Sequence, residues 1–195
     1  MAEKPLNDLT DEELILEFQK NDTVGAFEIL VGRYKNPLMN FVFRFLGDYE
    51  LSRDVVQETM IKVYRNKDSY KTIAKFSTWI YTIAGNLAKT ELQRKKRRKI
   101  LSLSPANDDS EPIDLPDNDP LPDVLADSAI KNKIIQDALL KVSEAYREVV
   151  ILRDIQEFTY EEIAEMLDLT VGTVKSRINR GRAQLQELLK DIYKV

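Results

Sequence analysis

Apolar positions recur every three or four residues along most of the chain, the period of helices that bury one side. Over residues 49–65, Leu51, Val55, Thr59 and Val63 share a face, with Val56 and Met60 beside them. From Phe76 to Lys99 the same spacing is kept by Phe76, Trp79, Ile80, Ile83 and Leu87, and the stripe ends near Leu92. Thr10-Asp11-Glu12-Glu13 is a capping box that opens a short helix reaching about Lys20. A further helix is expected over 23–46, broken or kinked at Pro37 and closed by Gly47. Toward the C-terminus the pattern predicts helices near 130–142, 143–156, 159–167 and 171–192. No stretch of useful length alternates with period two, so the expected fold is all-α.

Periodicity lapses in the middle. Residues 101–130 hold five of the seven prolines, eight acidic side chains and no basic one. Such a segment repels itself and reads as an extended linker; loops beyond about 12–15 residues are uncommon inside a compact domain. Two small helical domains are therefore expected, 1–100 and 131–195, joined by a flexible acidic linker at 101–130.

Charge sharpens this division. The net charge of −4 conceals a segment of +8 over residues 71–100 and one of −8 over residues 101–130. Six consecutive cations, Arg94 to Lys99, end the first of these and follow the apolar stripe of their helix. The 195 residues include no cysteine and no histidine, which excludes disulfides, zinc sites of the usual kind and histidine-based nucleophile activation. Glu161, Glu162 and Glu165 are explained by a capping box and an exposed helix face, so neither a metal nor another cofactor is expected. The N-terminal stretch is acidic and lacks the apolar core of a secretory signal, and no apolar run approaches the ~20 residues that span a bilayer. A cytoplasmic protein is expected.

The most specific motif is TYEEIAEMLDLTVGTVKSRINRGRAQL, residues 159–185. Thr159 and Glu162 form a second capping box, and Asp168-Leu169-Thr170 is a three-residue turn in which Asp168 is suited to a left-handed conformation. Two helices around such a turn make a helix-turn-helix, whose second helix docks in the major groove of DNA. At 100° per residue, Val174, Ile178, Gly181, Leu185 and Leu188 point inward. Ser176, Asn179 and Ala183 point outward, flanked by Thr173 and Arg180 on one side and Lys175 and Arg182 on the other. Hydroxyl and amide groups suit base edges, and cations suit guanine or phosphate. A merely solvated face is the plainer alternative.

Two weaker features lie upstream. Aromatics at 70, 76, 79 and 81 stand among lysines and hydroxyls before the cation run, an arrangement that can stack unpaired bases but is also that of plain core residues. Asp54, Gln57 and Glu58 project together from a helix whose other side is apolar, by spacing alone a solvated face.

Taken in order, DVVQET, FSTWIYTIAGN and TVKSRINRGR resemble the sigma factors of bacterial RNA polymerase, above all the two-domain extracytoplasmic-function (ECF) group. The resemblance covers nearly the whole chain, with two departures: Val142-Ser143 where relatives commonly have Leu-Pro, and Asp168 where many have glycine. It implies an initiation subunit rather than an enzyme. Asp54, Gln57 and Glu58 would bind the clamp of the largest polymerase subunit, and the flap of the second-largest subunit would be a further contact. Tyr70, Phe76, Ser77, Trp79, Asn86 and Lys89 would contact the melted −10 strand or support its pocket, with Arg94 and Lys95 on phosphates. Thr173, Lys175, Ser176, Asn179, Arg180 and Arg182 would read the −35 duplex. An anti-sigma factor is an implied partner, and no small-molecule substrate is. The alternative is a free-standing helix-turn-helix regulator; a nucleic-acid-processing enzyme lacks the side chains for its chemistry.

Overall fold

A computed structural model describes residues 4–101 and 122–190, and among these every regular element is helical. The first unit contains α1 (Asp11–Asn21), α2 (Val24–Leu46), α3 (Tyr49–Arg65) and α4 (Phe76–Leu101). The second contains α5 (Pro122–Lys141), α6 (Glu144–Val150), α7 (Tyr160–Leu167) and α8 (Val171–Leu189). The expected linker falls largely on residues 102–121, outside the described residues. Its last third differs from expectation, because α5 begins at Pro122, a residue suited to the first helical position.

Local signals explain most helix ends. Thr10 and Glu13 close the first capping box in both directions. Asp48 caps α3 by accepting from the Leu51 N–H at 3.1 Å. Gly47 ends α2 in the left-handed region at φ 69°, where a side chain is disfavoured. Of the break or kink expected at Pro37, the break does not occur; α2 runs through it. Both Pro37 and Arg33, whose carbonyl loses its donor, lie on the exposed face, so water can replace the missing bond. The segment expected as one helix over 143–156 is α6 followed by a π-helical turn, Ile151–Ile155, in which the Gln156 N–H reaches the Ile151 carbonyl at 3.0 Å.

In the first unit α2 lies at the centre, packed by α1, α3 and α4. Phe18, Leu30, Leu38, Phe41, Phe45, Val55, Val63, Phe76 and Ile80 fill its interior. In the second, α6 and α7 pack on α8 through Val149, Ile163, Val174 and Ile178. Leu188, expected inward, is 39% exposed, because it lies at an open groove between α8 and α5, beside Ile134, Ala138 and Lys141.

The two units pack on each other along α2 and α4, and their buried apolar residues form one continuous cluster. The join is polar at its centre. The last carbonyls of α2 have no partners within the helix; the Phe43 carbonyl accepts from the capping Gly47 N–H at 2.8 Å, and the second unit supplies further donors. Gln136 Nε2 donates to the Phe43 and Arg44 carbonyls at 3.2 and 3.3 Å, and Arg147 donates to the Phe45 carbonyl at 2.6 Å. The same buried guanidinium donates to the Leu140 and Val142 carbonyls at 2.7 and 2.9 Å, tying the end of α5 to the end of α2. Burial lowers the pKa of Arg147 from its ordinary value. Nearby, a Cβ at Gly47 would overlap the Leu140 methyls.

Replacing Arg147 with Met should leave these carbonyls buried without a donor and lower stability by about 3 kcal/mol. Urea denaturation checks this through a fall in the midpoint at constant slope.

Candidate nucleic-acid interface

The helix-turn-helix forms as the sequence requires. The Thr159 N–H donates to Glu162 Oε2 at 2.8 Å, and the Glu162 N–H returns to Thr159 Oγ1 at 3.2 Å. Asp168 takes φ 52° and ψ 53°, turning the chain, and Thr170 caps α8 by accepting from the Thr173 N–H at 3.2 Å. Val174, Ile178 and Gly181 seat α8 on its neighbours; a Cβ at 181 would stand 2.6 Å from a Val150 methyl, so the glycine is needed for close approach.

The opposite face of α8 is open. Lys175, Ser176, Asn179, Arg180 and Arg182 are exposed and Thr173 is half-buried. The Thr173 and Thr170 hydroxyls lie 2.9 Å apart, and Ser176 Oγ donates to the Thr173 carbonyl at 2.9 Å. Lys175 stands over the Tyr160 ring at 5.5 Å, and Arg180 reaches the Tyr146 hydroxyl at 3.3 Å. Arg182 pairs with Asp154, its Nε at 3.0 Å. These are surface contacts that a ligand can displace at little expense.

The upstream candidates divide into two groups. Phe76 is fully buried and Tyr70 nearly so, packed ring against ring with Tyr34 and Trp79 at centroid distances of 5.3–5.9 Å. As placed, neither ring is open to stack a base, and Phe76 packs the start of α4 onto Tyr34 of α2. The Tyr70 hydroxyl donates to the Ala74 carbonyl at 2.8 Å, and Gln19 holds the Lys67 and Tyr70 carbonyls, so the turn before α4 is pinned from inside. Glu12 accepts from the Phe76 N–H at 3.0 Å, a carboxylate at the positive end of α4. Ser77, Trp79 and Lys89 are half-buried, and Asn86, Arg94 and Lys95 are exposed. Asn86 lines a shallow cavity with Lys62, Ile83, Leu87 and Thr90. Arg94 pairs with Glu91 at 2.5 Å and Lys95 with Asp48 at 3.2 Å.

Sequence reasoning missed two things here. Ile73, 92% exposed, forms the tip of the turn before α4, and an isolated isoleucine in a loop gives no periodic signal. A second buried side of α4, carrying Tyr81 and Gly85, faces the second unit. Tyr81 donates to Gln156 Oε1 at 2.7 Å and meets the Phe158 ring at 4.8 Å. Lys89 pairs with Glu148 at 3.1 Å; burial pushes the Glu148 carboxyl up, while Lys89 pulls it down. On α3, Asp54, Gln57 and Glu58 are exposed, with no hydrogen bond or ion pair among the described residues, while Val55, Val56 and Thr59 are buried behind them.

Two packed helical units, one ending in a capped helix-turn-helix, define the class. Residues 30–98 match the Sigma-70 region 2 family and residues 132–185 match Sigma-70, region 4. The chain is 35% identical to the ECF RNA polymerase sigma factor SigW of Bacillus subtilis over 180 residues, 91% of this chain and 96% of SigW. It is 34% identical to the ECF RNA polymerase sigma-E factor of Haemophilus influenzae over 192 residues, 94% and 97% of the two chains. Among solved structures it resembles the sigma factor RpoE of Bartonella quintana in complex with the anti-sigma factor NepR, at a TM-score of 0.69 and 27% identity over 84% of this chain and 96% of that one. It also resembles CnrH in complex with the cytosolic domain of CnrY, at a TM-score of 0.67 and 26% identity over 93% and 97%. The chain belongs to the ECF sigma factors of the sigma-70 family, which act in transcription initiation.

Replacing Thr170 with Ala should remove the cap of α8 and lower stability by about 1 kcal/mol. Thermal denaturation of the two proteins side by side checks it.

Proposed function

We propose that this sigma factor divides promoter recognition between its two units and docks on core polymerase through α3. The observation that carries the reading is shared by α3 and α8: each assigned face is exposed on a helix whose opposite side is core. A face held in this way keeps its side chains in fixed relation while leaving them free to be bound.

On α8, Ser176 and Asn179 read base edges of the −35 duplex, with Thr173, Lys175, Arg180 and Arg182 on bases and phosphates beside them. At the start of α4, Tyr70 and Phe76 hold the turn, while Ser77, Trp79, Asn86 and Lys89 face the unpaired −10 strand. Arg94 and Lys95 extend the contact along its phosphates. Asp54, Gln57 and Glu58 dock on the clamp of the largest polymerase subunit, and the second unit meets the flap of the second-largest. The protein works in the cytoplasm as a dissociable specificity subunit and has no catalytic activity of its own; no described helix is long and apolar enough to cross a membrane. The RpoE and CnrH complexes support an anti-sigma factor as a further partner.

Reversing charge at Asp54 and Glu58 to lysine should reduce capture of core polymerase at least tenfold while the circular dichroism spectrum stays unchanged. Unchanged capture overturns the assignment of α3. Replacing Arg180 with Ala should weaken discrimination between −35 sequences by about 1–3 kcal/mol if it reads a base edge. A loss uniform over all sequences makes it a phosphate contact instead.

A further inference from the structure

The turn before α4 is held from inside by α1. The Gln19 amide donates to the Lys67 carbonyl at 2.6 Å and to the Tyr70 carbonyl at 3.1 Å, so one side chain spans the 3₁₀ turn Lys67–Ser69. The Lys67 ammonium reaches back to the Phe18 carbonyl at 2.9 Å and to Asp22, and lies over the Phe18 ring at 4.5 Å. Further along, Glu12 accepts from the Phe76 N–H. The helix that supplies these groups is itself fixed. Its Leu14, Ile15 and Phe18 are buried, and Asp11 accepts from Arg33 at 2.7 Å and from the Tyr34 hydroxyl at 2.5 Å, both on α2. Between the anchors lies an open tip. Lys71, Thr72 and Ile73 are exposed, and the Ala74 N–H reaches the Lys71 carbonyl at a long 3.4 Å. An apolar side chain open to water, two residues from a cation, suits the face of an unpaired base and its phosphate. A tip with so loose an internal bond takes its position from its anchors, and recognition needs side chains held to about 0.5 Å.

We propose that Gln19 is a positioning residue for −10 recognition: it sets where the Lys71–Ile73 tip meets the unpaired strand, and so which base is accepted there. In this role Gln19 touches no DNA and acts through two backbone carbonyls. Two donors on one planar amide fix both the height and the tilt of the turn, which a single bond would not. The proposal rests on the assignment of the start of α4 to the −10 strand made above.

Holoenzyme reconstituted from core polymerase and the full chain is offered duplexes with randomised −35 and −10 blocks, and base enrichment in the bound fraction is counted at each position. Gln19→Met keeps the side chain's reach and removes both donors. It should flatten enrichment at one −10 position or more by about tenfold, the size of one good base contact, while enrichment at −35 changes less than about twofold. Gln19→Glu, of the same shape but accepting only when ionised, should lose at least as much. Ile73→Ala should flatten the same position. Combined with Gln19→Met, it should lose less than the product of the two single losses, because both changes act at one point. Asn86→Ala, at a proposed strand contact, is the reference for the assignment of α4.

A loss shared evenly by −10 and −35 positions makes Gln19 a stabiliser of the fold and overturns the proposal. So do losses in Gln19→Met and Ile73→Ala that simply multiply or that fall at different positions. If Asn86→Ala loses −10 discrimination and Gln19→Met does not, the assignment of α4 stands and the proposal fails. If neither loses it, the assignment of α4 fails and the proposal with it. Should Gln19→Met not fold, Lys67→Met, which cuts the neighbouring tie to Phe18 and Asp22, is read by the same split between −10 and −35 positions, and an even loss there overturns the proposal.

Discussion

The C-terminal end of α2 is the point on which the arrangement of the two units turns. A helix that ends inside a protein leaves carbonyls that must find donors, and its last turn carries partial negative charge. Here Gly47 serves the Phe43 carbonyl, and the other unit adds the Gln136 amide and the Arg147 guanidinium. A guanidinium is suited to this because its planar fork serves several acceptors at once, and Arg147 serves three carbonyls, that of Phe45 at the end of α2 and those of Leu140 and Val142 at the end of α5. The interface is thus anchored by backbone groups that cannot move without unwinding α2. Side-chain pairs along α4 then decide how firmly the rest of the surface is held.

The α7–α8 motif was legible almost to the residue, because its determinants are local. Thr159 and Glu162 cap from three residues apart, Asp168 turns the chain with its own backbone, and Thr170 caps the next helix. The exposed trio on α3 was legible for the same reason, since a single helix with one apolar side defines its other side. Two kinds of information were not local. Pro37 was read as a break or kink because proline removes a donor, but whether the helix breaks depends on whether the orphaned carbonyl faces water. Tyr70 and Phe76 looked like stacking platforms among cations, yet Tyr34 of α2 and Glu12 of α1 draw this segment inward. Both outcomes were decided by helices distant in sequence.

The joining of the units was the least legible feature. Tyr81, Gly85 and Lys89 lie outside the main apolar stripe of α4 and carry no hydrophobic signature of their own. Their partners Gln156, Phe158 and Glu148 sit in another segment, beyond an acidic stretch whose composition suggests independence. A polar, charge-matched interface leaves little trace in hydrophobic periodicity. Its trace lies in charge spacing along α4, which looks like a solvated face until its counterpart is known.

Gly47 ends α2 in a left-handed turn that favours glycine, and Leu140 fills the notch its missing side chain leaves. The helix end and the interface therefore draw on the same residue. In a lineage where the units never meet, asparagine would serve at 47 and the residue at 140 would drift freely. Where they do meet, the two positions must change together, a bulkier 47 accompanied by a shorter 140. Joint variation at this pair, read across many genomes, would sort the relatives that fold back on themselves from those that do not.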